Sequence, residues 1–299
     1  MNRLTGGRMV QAAIDGYFST NSINLHFRDW GGSGRPVVLL HGLASSCHIW
    51  DLVAPRLAEN FSVIALDQRG HGLSDKPDTG YDFSTVARDL MGVIEKRNLE
   101  KPVVVGHSWG ADVALEFAVA FPHVASGICF VDGGMIEPSA RPGMTLEKAR
   151  EDMAPPVFAG MTSIALRERF GNRVRPFPLP LEFDQVLMSN FEVLEDGTVR
   201  TRLSRENHLR IIDALWDHHP SRLYPQVPCP TLMMPARMAN DDSVAERTFR
   251  RQESVAKAQQ LLPQVKVVWL EDSIHDVPVQ RPELVADTIS DAISSGFFG

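Results

Sequence analysis

The pentapeptide Gly106-His107-Ser108-Trp109-Gly110 carries the clearest chemistry in the sequence. It follows the apolar run Val103–Val105 and leads into a helical pattern, so Ser108 falls on a strand–turn–helix corner of the G-x-S-x-G type. A turn that sharp brings backbone atoms so close to positions 106 and 110 that side chains are excluded. The serine oxygen is thereby lifted above the strand, beside the positive end of the next helix. That is the placement of a nucleophile for acyl transfer.

A serine hydroxyl needs a base, and His275 is the candidate among 10 histidines. It stands on a loop after the apolar run Lys266–Leu270, seven residues before the Pro282 that opens the last helical segment. An imidazole is neutral near pH 7 and can take the serine proton if it lies within hydrogen-bond reach. His41-Gly42-Leu43 follows another apolar run, Pro36–Leu40. A loop there is placed to give one backbone N–H to a developing oxyanion, and the residue after the nucleophile gives the other. The amides of Leu43 and Trp109 are therefore the expected oxyanion hole, with His41, Gly42 and His107 expected to line the substrate. Losing one such donor costs about two to three orders of magnitude in rate. Asp67-Gln68-Arg69-Gly70-His71-Gly72-Leu73-Ser74 also follows a strand-like run, and its two glycines let the chain double back beneath the site. Its expected role is structural, with His71 a hydrogen-bonded loop histidine.

These motifs need elements to hold them at one sheet end. Pro36–Leu40, Ser62–Leu66, Pro102–Val105, Gly127–Val131, Thr231–Met234 and Val265–Leu270 are apolar at almost every position, as strands covered on both faces require. Between them, Phe83–Lys96, Ala111–Phe121 and Pro282–Ile293 repeat their apolar residues at the helical period. Strand and helix alternation predicts a doubly wound α/β sheet. Tyr17–Thr20 and Ile23–Trp30 flank Asn21-Ser22 as a hairpin would, making the sheet mixed at one edge.

The rhythm breaks from Met135 to about Pro225, a stretch rich in Pro, Arg and Met with mostly helical patterning and no clear buried strand. Pro155-Pro156 and Pro176–Pro180 force turns or extended chain within it. The expected organisation is a core in two parts, residues 1–134 and 225–299, around a helical cap at residues 135–224.

Composition excludes several other classes. The 299 residues are 43% hydrophobic and 22% charged, ordinary for a soluble globular protein, with a net charge of −7. The 30 Lys and Arg form no basic stripe, so nucleic acid is not an expected partner. No stretch reaches the roughly 20 apolar residues of a membrane span. Residues 1–11 show no secretory leader, and three widely spaced cysteines suggest neither a disulfide framework nor a metal site. A cytoplasmic protein with reduced thiols is the expectation, with no metal or organic cofactor implied. Its oligomeric state has no signature here.

Motifs at 41–43, 67–74, 106–110 and 275–282 together resemble the α/β-hydrolase superfamily, in its order and at its strand ends. The resemblance implies a mostly parallel eight-stranded sheet, with the cap inserted between strands 6 and 7. It also implies a carboxylate that orients His275, and here the sequence departs from the commonest pattern. Members usually carry that acid in a Gly-x-x-Asp stretch after the strand that follows the cap. This chain reads Pro235-Ala236-Arg237-Met238-Ala239-Asn240-Asp241-Asp242 there, without the glycine. Asp241 is one candidate, although it also suits the start of a helical run at Val244–Leu262. Asp132, which ends Gly127–Val131 at the strand end some relatives use, is favoured over it.

Haloalkane dehalogenases and epoxide hydrolases of this superfamily carry aspartate at the elbow, so Ser108 points to acyl chemistry on a small-molecule substrate. The resemblance implies an esterase, thioesterase or lactonase, with carbon–carbon bond hydrolysis, perhydrolysis or other non-hydrolytic chemistry as the alternative. A slow-turnover ligand receptor is the reading from another class. Within the insertion, Met153, Phe158, Met161, Phe170, Phe177, Phe183, Met188 and Phe191 are expected to form mainly the cap's own core. Arg167, Arg169, Arg173 and Arg175 are expected mainly on a solvated face.

Overall fold

Asn21 and Ser22 both take left-handed backbone, φ 49° and 61°, which a two-residue hairpin turn demands. They join β1 (Ile14–Thr20) to β2 (Ile23–Gly31) as an antiparallel ribbon. This computed structural model describes residues 12–171, 180–238 and 245–299. Six further strands follow: β3 (Pro36–Leu40), β4 (Ser62–Leu66), β5 (Val103–His107), β6 (Gly127–Val131), β7 (Thr231–Met234) and β8 (Val265–Val267). They form one eight-stranded sheet, ordered β1-β2-β4-β3-β5-β6-β7-β8. Only the β1–β2 and β2–β4 pairs are antiparallel, so the sheet is mixed at the predicted edge.

The parallel strands are apolar at almost every position because alternate residues enter two different cores. Val38, Leu40, Val104, Ile128, Phe130 and Met233 face one, while Val37, Leu39, Val103, Val105, Cys129, Val131, Leu232 and Met234 face the other. Helices α1 (Phe83–Lys96) and α2 (Trp109–Ala120) cover the first face through Val86, Leu90, Val113 and Phe117. Asp82 caps α1 by accepting the Thr85 N–H at 2.9 Å. On the second face lie Trp50, Val53 and Leu57, with Val285, Ala286 and Ile289 of the last helix, Pro282–Ser294. Each buried aliphatic side chain contributes about 1.5–3 kcal/mol, and truncating Phe117 to Ala would cost about 3–5 kcal/mol.

The chain between β6 and β7 is mostly helical, with Leu146–Asp152, Ser163–Gly171, Phe183–Met188 and α3 (Arg205–Asp217). It also contains a short antiparallel hairpin, Phe191–Val193 with Val199–Thr201, which helical patterning does not anticipate. Leu166, Leu187, Phe191 and Val199 are buried together, with Phe158, Met161, Phe170, Phe183 and Met188 packed around them. These side chains thus form a small core of the insertion, whereas Met153 packs against the main one. Phe177, Arg173 and Arg175 lie outside the described residues. Arg167 pairs with Asp184 on the surface at 2.6 Å, and Arg169 lies over the Phe158 ring.

The predicted strand Val265–Leu270 is divided in the structure. β8 ends at Val267, and Leu270–Glu271 pairs instead with Ala236–Arg237. The second pairing carries the chain toward His275. Helix α4 spans Ala245–Leu261 and packs Val255 and Ala258 into the first core. No helix among the described residues is long and apolar enough to cross a membrane.

Candidate active site

Ser108 sits between β5 and α2 with φ 52° and ψ −124°, a backbone that L-residues rarely adopt. Surrounding glycines enforce it. A β-carbon on Gly106 would lie 2.1 Å from the Gly110 carbonyl oxygen, and one on Gly110 would lie 2.5 Å from the His41 carbonyl. One on Gly133 would strike the carbonyl oxygen of Ser108 itself at 2.1 Å. The elbow is therefore closed in by β3, β5 and the loop after β6.

Three predicted residues meet there. His275 Nε2 lies 3.0 Å from Ser108 Oγ, and His275 Nδ1 lies 2.6 Å from Asp132 Oδ2. The ionised carboxylate only accepts, so Nδ1 carries the proton and Nε2 is left to accept from the serine hydroxyl. Asp132 follows β6 directly, is fully buried, and receives the Ala236 N–H on Oδ1 at 2.9 Å. Burial alone would raise the Asp132 pKa, but the His275 hydrogen bond, the charges of His275 and Arg251 and the Ala236 N–H hold it below the usual range. Desolvation of the half-exposed His275 ring would lower its pKa. The hydrogen bond and charge of Asp132, with Asp276 beside it, outweigh this and hold the imidazole above its ordinary value. Asp241, the alternative acid, lies outside the described residues.

His107, on the strand side of the elbow, donates its Nε2–H to the His275 carbonyl at 2.8 Å. Burial, then the neighbouring His275, push its pKa down to about 4, so its ring is neutral. Its Nδ1 is buried without a hydrogen-bond partner among the described residues. The loop of His275 is also held by the Ile274 N–H on Gln280 Oε1 at 2.7 Å and the Ser273 N–H on the Arg237 carbonyl at 3.0 Å.

Gly42 lies directly against Ser108, where a β-carbon would come within 2.9 Å of Ser108 Cβ. Leu43 follows in a turn closed by the Ser45 N–H on the Gly42 carbonyl. His41 is buried and uses both ring nitrogens within the protein: Nδ1–H donates to its neighbour's carbonyl at 2.7 Å, and Nε2 accepts the Gln68 N–H at 3.0 Å. That leaves no ring nitrogen for a substrate. His71 donates Nδ1–H to the Arg69 carbonyl, accepts the Ala44 N–H at 3.3 Å, and stacks on Trp109. It is a hydrogen-bonded loop histidine that braces the turn holding Leu43.

Two buried carboxylates anchor these loops without touching Ser108: Asp67 opens the 67–74 motif expected to be structural, while no motif marks Asp112. Asp112, one turn into α2, accepts the N–H groups of Gly134 at 3.2 Å and Ile136 at 3.1 Å, fixing the chain just beyond Asp132. Asp67 accepts the Cys47 N–H at 2.7 Å on Oδ1, and both His26 Nδ1–H and the Leu73 N–H at 2.8 Å on Oδ2. His26, Cys47 and Asp67 have the residue types and closeness of a metal site, their donor atoms lying within 4.8 Å of one another. They do not fit one, because both Asp67 oxygens are filled and burial and the Asp67 charge push the Cys47 thiol well up, so it keeps its proton.

A hydroxyl, a base and a buried carboxylate in series at the C-terminal ends of parallel strands can perform nucleophilic acyl transfer. Sequence comparison agrees in kind: the alpha/beta hydrolase family model matches residues 37–288. The chain belongs to the alpha/beta hydrolase family.

Within this family, the chain is 45% identical over 108 residues to the soluble epoxide hydrolase of Corynebacterium sp. (strain C12). That match covers 36% of this chain and 35% of the relative. It is 37% identical over 110 residues to 2-(acetamidomethylene)succinate hydrolase of Mesorhizobium japonicum, covering 37% of this chain and 39% of that protein. These matches thus span little more than a third of either curated relative. A solved structure of E-2-(acetamidomethylene)succinate hydrolase superposes with a TM-score of 0.76 at 26% identity, over 94% of this chain and 99% of that one.

Proposed function

We propose that this hydrolase cleaves a small carboxylic ester, thioester or lactone through an acyl-enzyme on Ser108, with His275 as general base and Asp132 as its orienting acid. The observation that carries the reading is the series Ser108 Oγ, His275 and Asp132, at 3.0 Å and 2.6 Å. In the first half-reaction His275 takes the serine proton as Oγ attacks the carbonyl carbon. The Leu43 and Trp109 amides hold the oxyanion, and His275 returns the proton to the leaving group. In the second, His275 deprotonates water, which attacks the acyl carbon and releases Ser108. Asp132 keeps Nδ1 protonated and stabilises the imidazolium in both. Residues 135–224 act as a cap over this site, and residues 1–134 and 225–299 form the catalytic core.

The test is intact-mass analysis after treatment with a fluorophosphonate, comparing wild type with Ser108→Ala. One adduct on wild type, lost in the variant, supports the reading and justifies a panel of esters, thioesters and lactones. An unlabelled, folded wild type would sink it. A second reading, cleavage of an amide on a small carboxylated substrate, draws on the similarity to 2-(acetamidomethylene)succinate hydrolase. Including such amides in the panel separates the two.

A further inference from the structure

Arg251, on the first half of α4, reaches the acid that holds the base. Its Nη2 lies 3.2 Å from Asp132 Oδ2, the same oxygen that accepts His275 Nδ1–H. Its Nη1 donates to the Ala236 carbonyl at 2.5 Å, and the Ala236 N–H returns to Asp132 Oδ1 at 2.9 Å. Guanidinium, peptide and carboxylate thus close a ring around Asp132, drawn from α4, the chain after β7 and the end of β6. We infer that Arg251 is a positioning residue that clamps Asp132 and restrains the basicity of His275, an inference that rests on the triad proposed above.

The physical argument has two parts. A planar guanidinium can span two acceptors at once, which a lysine ammonium on a flexible stem does poorly. Its permanent charge also competes with His275 for the same carboxylate oxygen. The groups bearing on the imidazole are Asp132 and Asp276, which favour its cation, and Arg251, which opposes it; the neighbouring His107 ring is neutral. Among these, Arg251 is the one fixed positive charge. It keeps the base neutral, and hence active, to lower pH than two carboxylates alone would allow.

The experiment follows the rate of fluorophosphonate addition to Ser108 by intact mass across the neutral pH range, in wild type, Arg251→Gln and Arg251→Lys. Arg251→Gln should move the acid limb of the profile upward by roughly half a unit to one unit, a ~3- to 10-fold lower rate below the limb. Arg251→Lys should keep the limb near its wild-type position but lower the plateau several-fold, because one ammonium cannot hold both Ala236 and Asp132. A limb in Arg251→Gln that coincides with wild type, or moves down, overturns the charge argument. If Arg251→Gln shows no thermal unfolding transition, Arg251→Lys decides, and a wild-type plateau there overturns the clamp. A wild type that is not labelled at all, or labelled without an acid limb, overturns the triad and takes this inference with it.

Discussion

His107 and His275, 168 residues apart in the chain, are tied by a single hydrogen bond from the His107 imidazole to the His275 carbonyl. The residue beside Ser108 thus helps set the backbone position of His275. His107→Ala should lower the rate of Ser108 labelling by roughly a hundredfold, since a misplacement of about 1 Å can cost that much. His107→Gln, whose amide nitrogen can reach the same carbonyl, should recover most of it. Equal loss in both variants would assign His107 to substrate contact instead.

Asp132→Asn should keep the fold and lower kcat by about 10⁴, because the amide favours the wrong imidazole tautomer. The same substitution at Asp241 should have little effect. A severe loss at Asp241 with a mild one at Asp132 would transfer the acid's role to Asp241.

Because Asp132 holds His275 above its ordinary pKa, its imidazole keeps a proton to higher pH than a free one and must lose it to act as base. Labelling of Ser108 should rise with pH, along a limb centred above the ordinary imidazole value. In Asp132→Asn the carboxylate's support is gone, and the limb should move down even as the plateau falls. A pH–rate profile of both proteins checks the direction.

Asp67 should matter for stability rather than turnover. Burial would raise its pKa, but the His26 hydrogen bond, the His41 ring and the N–H groups of Cys47 and Leu73 hold the carboxyl well below the usual range. A carboxylate depressed on folding contributes stability that is present above its unfolded pKa and lost as pH falls below it. The wild type should therefore lose stability steeply below about pH 4, where the unfolded carboxyl gains its proton. Asp67→Ala should cost about 3 kcal/mol at neutral pH by stranding buried donors, and should flatten that acid slope. Urea titrations across the acid range measure both.

Gly133→Ala should be far more damaging than its mild chemistry suggests, since its methyl group meets the Ser108 carbonyl oxygen. A displaced elbow predicts labelling at least tenfold slower with a lowered Tm. Gly143→Ala should leave labelling unchanged, because nothing lies within 4 Å of a β-carbon there. Any strain at its φ of 70° would appear in Tm alone.

Local patterning made much of the fold legible. Helix α1 occupies the predicted Phe83–Lys96 because its apolar residues repeat at the helical period, and β6 the predicted Gly127–Val131 because both its faces are buried. The insertion's hairpin is not legible in the sequence, because three-residue strands show too little alternation. Asp196-Gly197 was the turn signal there. Val265–Leu270 read as one strand because all but Lys266 are apolar, yet its last residue serves a second, two-residue pairing. At the candidate site, Ser108, Gly42 and His275 announce themselves through motifs at strand ends. Asp132 was one of two candidates, since choosing between them needs a distance across the sheet. Arg251 acts through contacts with residues remote in sequence, and no spacing encodes those.

The order of the three reacting groups along the chain bears on biosynthesis. Ser108 and Asp132 emerge from the ribosome well before His275, and β8 must join the sheet and Leu270–Glu271 must pair before the base can reach the serine. A nascent or truncated chain that stops short of that pairing carries an inert hydroxyl. Long-range closure of this kind is slow relative to local helix formation. Reactivity at Ser108 should therefore be the last property to return on refolding, later than helical signal.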